Sequence, residues 1–333
     1  VYMQRATNSK LFAEMLNPLG PPFIYAVNKD TSTVFTVNPG LPTKLLVKVP
    51  GEDFDQGSTV GKLGTPADQT AGVNMTGAGG GVVPFVVVGV VDDYFNLVKN
   101  CPLNPKCVTE VQIQTPGDNF SVVTTTLAIN TANGYTAPFT VALKKAATDQ
   151  FLRAVDYGGS GLTQNNSSTF TVKAAAPVGL QVVMPGQTSL PGTGDYPAGG
   201  VTGAISTQTA GAAFTMTVNL VDRFWNVATD RSGVAQDTNP PVPINEMPMV
   251  RVKSLYDPAV FDSVQQLVDG TWSFGPAPRL AISSYTVTAA TEPAQPASVV
   301  YSSGTSSWVW TLPATRDPAA GGLLGELTGH TGD

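Results

Sequence analysis

Charge is scarce in this chain. Asp, Glu, Lys and Arg make up 13% of its 333 residues, about half of the roughly 25% usual for a soluble domain. The net charge is −6 and no basic cluster interrupts it, which excludes nucleic acid as a partner, because phosphate neutralisation needs Lys and Arg gathered on one face. Histidine is scarcer still. The single one, His330, stands in a glycine-rich stretch, and a Ser-His-Asp or Cys-His site needs a base that its neighbours hold in place. The glycines of Gly77–Gly81 are not followed by the Lys-Ser/Thr of a phosphate loop. Any two acids can meet in a fold, which leaves a glycoside-hydrolase pair open in principle, yet Asp156, Glu246, Asp257 and Asp262 all sit in segments that read as surface turns. The sequence therefore reads as non-enzymatic.

Long apolar stretches are also missing. No run reaches eighteen residues, so no membrane-spanning helix is expected. No signal peptide heads the sequence, and its composition favours a mature secreted chain over a cytoplasmic one. Cysteine is limited to Cys101 and Cys107, which enclose Pro-Leu-Asn-Pro-Lys. That loop suits a local disulfide in an oxidising compartment, with two free thiols as the alternative. It does not match a CxxC redox or zinc spacing, and no histidine lies near.

Glycine (34) and proline (27) are plentiful, and Thr, Val, Ala and Ser fill the place of the missing charge. β-Branched residues suit a pleated sheet and Gly/Pro punctuate it, so an all-β chain is expected. Its organising feature is a stretch written twice. TVFTVNPGLPTKLLVKVPG at 33–51 returns as STFTVKAAAPVGLQVVMPG at 168–186, ungapped, with eight of nineteen positions identical. Such agreement marks an internal repeat. In each copy an alternating strand meets a proline-bearing hinge, and a second alternating strand ends in Pro-Gly, the pattern of one β-domain closing and the next opening. A second match, Gln69-Thr-Ala-Gly72 against Gln208-Thr-Ala-Gly211, shows that the offset drifts between the joints, as insertions confined to loops allow.

Four segments follow from this period: an arm over 1–40, one β-sandwich over 41–175, a second over 176–312, and a tail over 313–333. In the arm, Ser9 to Leu16 reads as two helical turns stopped by Asn17-Pro18. Phe23-Ile24-Tyr25-Ala-Val27 and Val34-Phe35-Thr-Val37 read as a strand pair left over from a preceding domain, or as an arm that pairs with a neighbour, since an isolated hairpin is marginal in water. In the first sandwich, strands are expected near 45–49, 82–91, 108–115, 120–130, 137–144, 151–156 and 169–173. In the second they are expected near 180–184, 214–221, 249–255, 272–274, 282–289 and 308–312. Strands at such spacing with turn signals between them predict antiparallel sandwiches.

Each long apolar strand ends in Asp-x-x-x-Asn: Asp92 to Asn96 and Asp222 to Asn226. Asp and Asn oxygens suit a hard cation, and calcium is the one cofactor the residues offer. The preferred reading is a tight corner pinned by side chain-to-backbone hydrogen bonds, with the intervening aromatics covering the core edge. A second acidic knot, Glu52, Asp53 and Asp55, has Gln187, Thr188 and Leu190 as its counterpart, so calcium there would belong to one copy only. The order Leu-x-Val-x-x-Pro-Gly-Glu/Gln, Gln-Thr-Ala-Gly, an alternating strand, then Val-Asp-x-x-x-Asn resembles the bacterial immunoglobulin-like repeats of large secreted surface proteins. That resemblance covers roughly 33–312 and is poor over 230–300. It implies tandem immunoglobulin-like sandwiches in a cell-surface setting, as in surface-layer, adhesin-like and matrix-forming polypeptides.

Two functions follow as expectations. One is a structural subunit of an extracellular filament or array, whose partners are copies of itself or adjoining repeats, engaged through the arm strands or the tail. The other is an adhesin or glycan-binding stalk that grips its ligand with glycine-rich loops and Tyr196, Trp225, Trp272, Trp308 and Trp310, although a core or edge-covering place is the preferred reading for those aromatics, and the structural subunit ranks first. Asn165 and Asn166 also fit the N-glycosylation acceptor pattern, with an ordinary loop as the preferred reading.

Overall fold

The computed structural model of the protein describes residues 3–13, 30–75, 85–101, 103–230, 247–282 and 285–291, and the backbone of 308–310. Its secondary structure is almost entirely β. The described helices are one turn each, Pro105–Cys107 and Pro258–Phe261, and no helix among the described residues is long and apolar enough to cross a membrane.

The arm holds four short strands: β1 (Asn8–Ser9), β2 (Phe12–Ala13), β3 (Asp30–Thr31) and β4 (Phe35–Thr36). The helix expected over Ser9 to Leu16 does not form in its described part, residues 9–13, and 14–16 lie outside the described residues. Two turns are too short to hold themselves, and the backbone pairs across the arm instead, β1 with β4 and β2 with β3. Phe35 is thus opposite Ser9, and the Val37 N–H donates to Thr7 O at 2.9 Å. Val34 stays exposed. Phe23, Ile24, Tyr25 and Val27 lie outside the described residues.

Beyond the hinge come β5 (Lys44–Lys48), β6 (Gln69–Thr70), β7 (Val87–Val91), β8 (Glu110–Gln114), β9 (Leu127–Asn130), β10 (Tyr135–Thr136), β11 (Ala147–Gln150), β12 (Arg153–Asp156), β13 (Asn165–Asn166) and β14 (Phe170–Lys173). They form a seven-stranded sheet, β13-β12-β8-β9-β10-β7-β5, facing a three-stranded sheet, β11-β14-β6, whose β14–β6 pair is parallel. The single strand expected over 120–130 is two, Val122–Val123 and β9, and only Val141–Ala142 of 137–144 is extended in a sheet. Asn165 is in β13 rather than a loop, its side-chain oxygen accepting from the Val47 N–H at 3.0 Å.

The continuous apolar run of β7 has a physical reason. Val86, Val88 and Val90 face the main core, which includes Leu45, Val47, Val111, Leu152, Phe170 and Val172. The opposite face carries Val91, which joins Leu46 and Leu97 in a small second core under Phe54, Phe95 and Tyr135. Both faces of the strand are covered, so both are apolar.

The second unit is built alike from β15 (Pro177–Val183), β16 (Met216–Asp222), β17 (Met249–Lys253), β18 (Ser263–Gln266), β19 (Thr271–Phe274), β20 (Tyr285–Thr291) and β21 (Trp308–Trp310). They make two sheets, β15-β16-β19 and β18-β17-β20-β21, around a separate core of Leu180, Val182, Met216, Val218, Leu220, Val252, Phe261, Tyr285 and neighbours. The pairing β5–β7 is repeated as β15–β16, Leu45 opposite Val90 and Leu180 opposite Leu220. Where the first unit keeps its small apolar core, the second keeps amides: Asn219 Nδ2 donates to Gln181 Oε1 at 3.0 Å, and Gln181 Nε2 donates to Gly200 O at 2.6 Å.

Cys101 and Cys107 are joined, with Cα atoms 6.0 Å apart, around the Pro105–Cys107 turn. Cys107 is buried in the first core. So short a closed loop restricts the unfolded chain by about 2 kcal/mol. Cys101→Ser with Cys107→Ser is therefore expected to lower stability by about that amount. Urea melts of reduced and oxidised wild type, which should differ by a similar margin, give the check.

Candidate functional site: the joint between successive units

The corner at the end of β16 is built from one carboxylate. Asp222 Oδ1 accepts from the N–H groups of Phe224 (2.8 Å) and Asn226 (3.0 Å), and Oδ2 accepts from Asn226 Nδ2 (2.8 Å). Oδ2 also accepts from the N–H of Ala175 (2.8 Å), in the hinge that leads out of the first unit. The side chain is fully buried. Every neighbour is a donor, which leaves no lone pair directed at a cation. Asp92 does the same at the end of β7, accepting from Tyr94 N (2.9 Å), Asn96 N (2.9 Å), Asn96 Nδ2 (3.0 Å) and, from the arm's hinge, Gly40 N (2.8 Å). Among the described residues no cluster of three acidic, His or Cys side chains is arranged to hold a metal. The acidic knot expected at Glu52 is tied otherwise: Glu52 faces Lys62 at 3.3 Å and takes hydrogen bonds from Ser168 and the Val49 N–H, while Asp53 lies 3.7 Å from the buried Lys48.

The asparagine that closes each corner has a second task. Asn226 Nδ2 donates to Lys144 O, and its Oδ1 accepts from Ala146 N, both at 2.8 Å. Those two backbone groups belong to the first unit. Asn96 Nδ2 donates to Gln4 O (2.7 Å) and its Oδ1 accepts from Ala6 N (2.8 Å), both in the arm. One device thus grips the preceding segment's main chain at both joints. A backbone carbonyl and N–H two residues apart match a primary amide's donor and acceptor respectively, so the grip makes no demand on the side chains of the gripped segment. The segment itself is held rigid at Lys144, whose N–H donates to the buried Asp118.

The two aromatics inside each corner differ in their fate. Phe224 crosses the joint into the first unit's core and is 2% exposed. The edge of its ring meets Gly72, where any Cβ would collide with it, and Lys144 Nζ sits 5.4 Å from its centroid. Tyr94, at the same place in the first corner, is 51% exposed. The second aromatic, Phe95 or Trp225, takes the left-handed backbone conformation (φ 62° and 67°) that the tight corner imposes.

The arm is a replica of the first unit's end. Leu11 N donates to Ser32 Oγ at 2.9 Å as Leu152 N donates to Ser167 Oγ at 3.0 Å, and each serine N–H returns to the same leucine's carbonyl. β1–β4 thereby repeat β11–β14 in pairing and order. What differs is the cover: Leu152 is fully buried in the first core, whereas Leu11 is 46% exposed.

The aromatics expected to form a glycan platform are placed otherwise. Trp225 and Trp272 are buried, and Tyr196 packs on Trp225 with centroids 4.9 Å apart, burial pushing its hydroxyl above the ordinary value. The side chains of Trp308 and Trp310 lie outside the described residues. Comparison of the chain with protein-family models, curated proteins and solved structures finds no match.

Proposed function

We propose that the chain is a non-catalytic structural subunit of an extracellular filament or cell-surface array, made of tandem immunoglobulin-like sandwiches that join head to tail. The observation that carries this reading is the doubled clasp: Asn96 on Gln4 and Ala6, and Asn226 on Lys144 and Ala146. A grip on main-chain groups makes few demands on sequence and can be repeated from unit to unit, and head-to-tail contacts propagate without limit. The exposed Leu11 of the arm adds apolar surface that a neighbouring copy would bury.

Electron microscopy of the full chain beside a chain lacking residues 1–40 tests the proposal. Regular filaments or sheets are expected from the first and separate particles from the second. Isolated two-bead particles in both preparations would sink it.

A further inference from the structure

We infer that the glycine-rich hairpin after each hinge is the second jaw of the clasp. Gly57 with Asn96, and Gly192 with Asn226, then form a binding site whose ligand is three residues of main chain at the end of a preceding unit, in the same chain or in a neighbouring copy. The inference rests on the subunit reading above and names what each unit recognises.

The two hairpins are equivalent. Glu52–Phe54 pairs with Lys62–Gly64 after the first hinge, and Thr188–Ser189 pairs with Val201–Thr202 after the second. Each is tied to its corner in the same two ways. Gly57 N donates to Tyr94 O (3.0 Å), and Gly192 N donates to Phe224 O (2.8 Å). Gly61 meets Phe95 and Gly200 meets Trp225, at places where any Cβ would collide with the ring. Hairpin and corner are thus one body, with Gly57 or Gly192 turned to the gripped segment.

That glycine meets the middle residue of the segment. The asparagine holds the first and third residues: Gln4 O with Ala6 N, and Lys144 O with Ala146 N. A Cβ on Gly57 would stand 2.6 Å from both Cα and Cβ of Arg5. One on Gly192 would stand 2.8 Å from Cβ of Lys145 and 3.1 Å from its Cα. Bare glycine lets the two backbones approach, and a side chain at either place would lift the segment off the asparagine. Both glycines also take the left-handed backbone, φ 79° and 85°.

The contact survives a change of loop length. Three residues separate Gly57 from Gly61, whereas seven separate Gly192 from Gly200. Gly192 still meets Lys145 as Gly57 meets Arg5. The paired signature is therefore Pro-Gly-x5-Gly, then Gly-x2-Gly, then Asp-x3-Asn, and a unit that carries it can take another unit's end.

Amide hydrogen exchange of the full chain tests this, because the Ala6 and Ala146 N–H groups donate to the two asparagines and are released when the clasp opens. Gly192→Asn keeps a residue that tolerates the left-handed backbone and adds the obstructing side chain. Exchange at Ala146 is expected to quicken about tenfold or more, with the amides of β7 and β16 as in wild type. Gly57→Asn is expected to do the same to Ala6. Gly159→Asn is the control, since φ there is 67° and nothing lies within 4 Å of a Cβ; neither alanine should respond to it. If Gly192→Asn unfolds the second unit, the arm joint decides alone, because Gln4, Arg5 and Ala6 lie outside the hydrophobic cores. Exchange within about twofold of the control at the alanine read out overturns the inference, and so does a rise that β7 and β16 share equally. Filaments from wild type with an unmoved Ala6 and Ala146 in the variants leave the subunit reading standing and remove the jaw. Quickened alanines in a protein that forms no filaments do the reverse.

Discussion

Asp222→Ala is expected to lower the unfolding free energy by about 4 kcal/mol, from the loss of several charge-assisted hydrogen bonds worth about 1.5–3 kcal/mol each, with partial relaxation. The carboxylate serves four donors at once: the N–H groups of Ala175, Phe224 and Asn226, and the Asn226 amide. None can turn to bulk water, because the side chain is fully buried. The loss spreads to the joint, since the Asn226 amide that Asp222 orients is the one that grips Lys144 and Ala146. Urea denaturation checks the size. A loss below about 1 kcal/mol would mean that the corner is not held by this carboxylate. Asp222→Asn keeps the shape but sets an amino group against N–H donors, so it should fall between wild type and alanine.

Phe224→Ala is expected to cost about 3–4 kcal/mol, the range for removing a fully buried aromatic ring, and to change how the chain melts. By sequence the residue belongs to the second unit; by packing it belongs to the core of the first. The ring therefore couples the two cores, and the alanine variant should unfold in two calorimetric steps where the wild type shows closer coupling. Tyr94→Ala is the internal control. It removes the ring at the same corner position but at an exposed site, so the isolated chain should lose less than about 0.5 kcal/mol. Equal losses for the two would contradict the packing described above.

The sequence by itself determined the period of the chain and the corners. Phe35-Thr36-Val37 and Phe170-Thr171-Val172, like Asp92-to-Asn96 and Asp222-to-Asn226, are local patterns whose hydrogen bonds reach only a few residues, so strand, hinge and corner follow from the residues alone. The tertiary structure decided what each corner holds. The gripped groups are a carbonyl and an N–H, which every residue other than proline supplies, so Gln4 and Ala6, Lys144 and Ala146 carry no signature beyond a weak Arg5-Ala6 and Lys145-Ala146 likeness. The kinship of the arm with β11–β14 was hidden for a related reason: a bulge between Ala147 and Gln150 and a longer connection between β2 and β3 shift the register that a sequence comparison would follow. Phe224 could be read as an aromatic near a core. That the core belongs to the preceding unit is a property of how the two units meet, because burial is set by whichever apolar surface lies within reach in space.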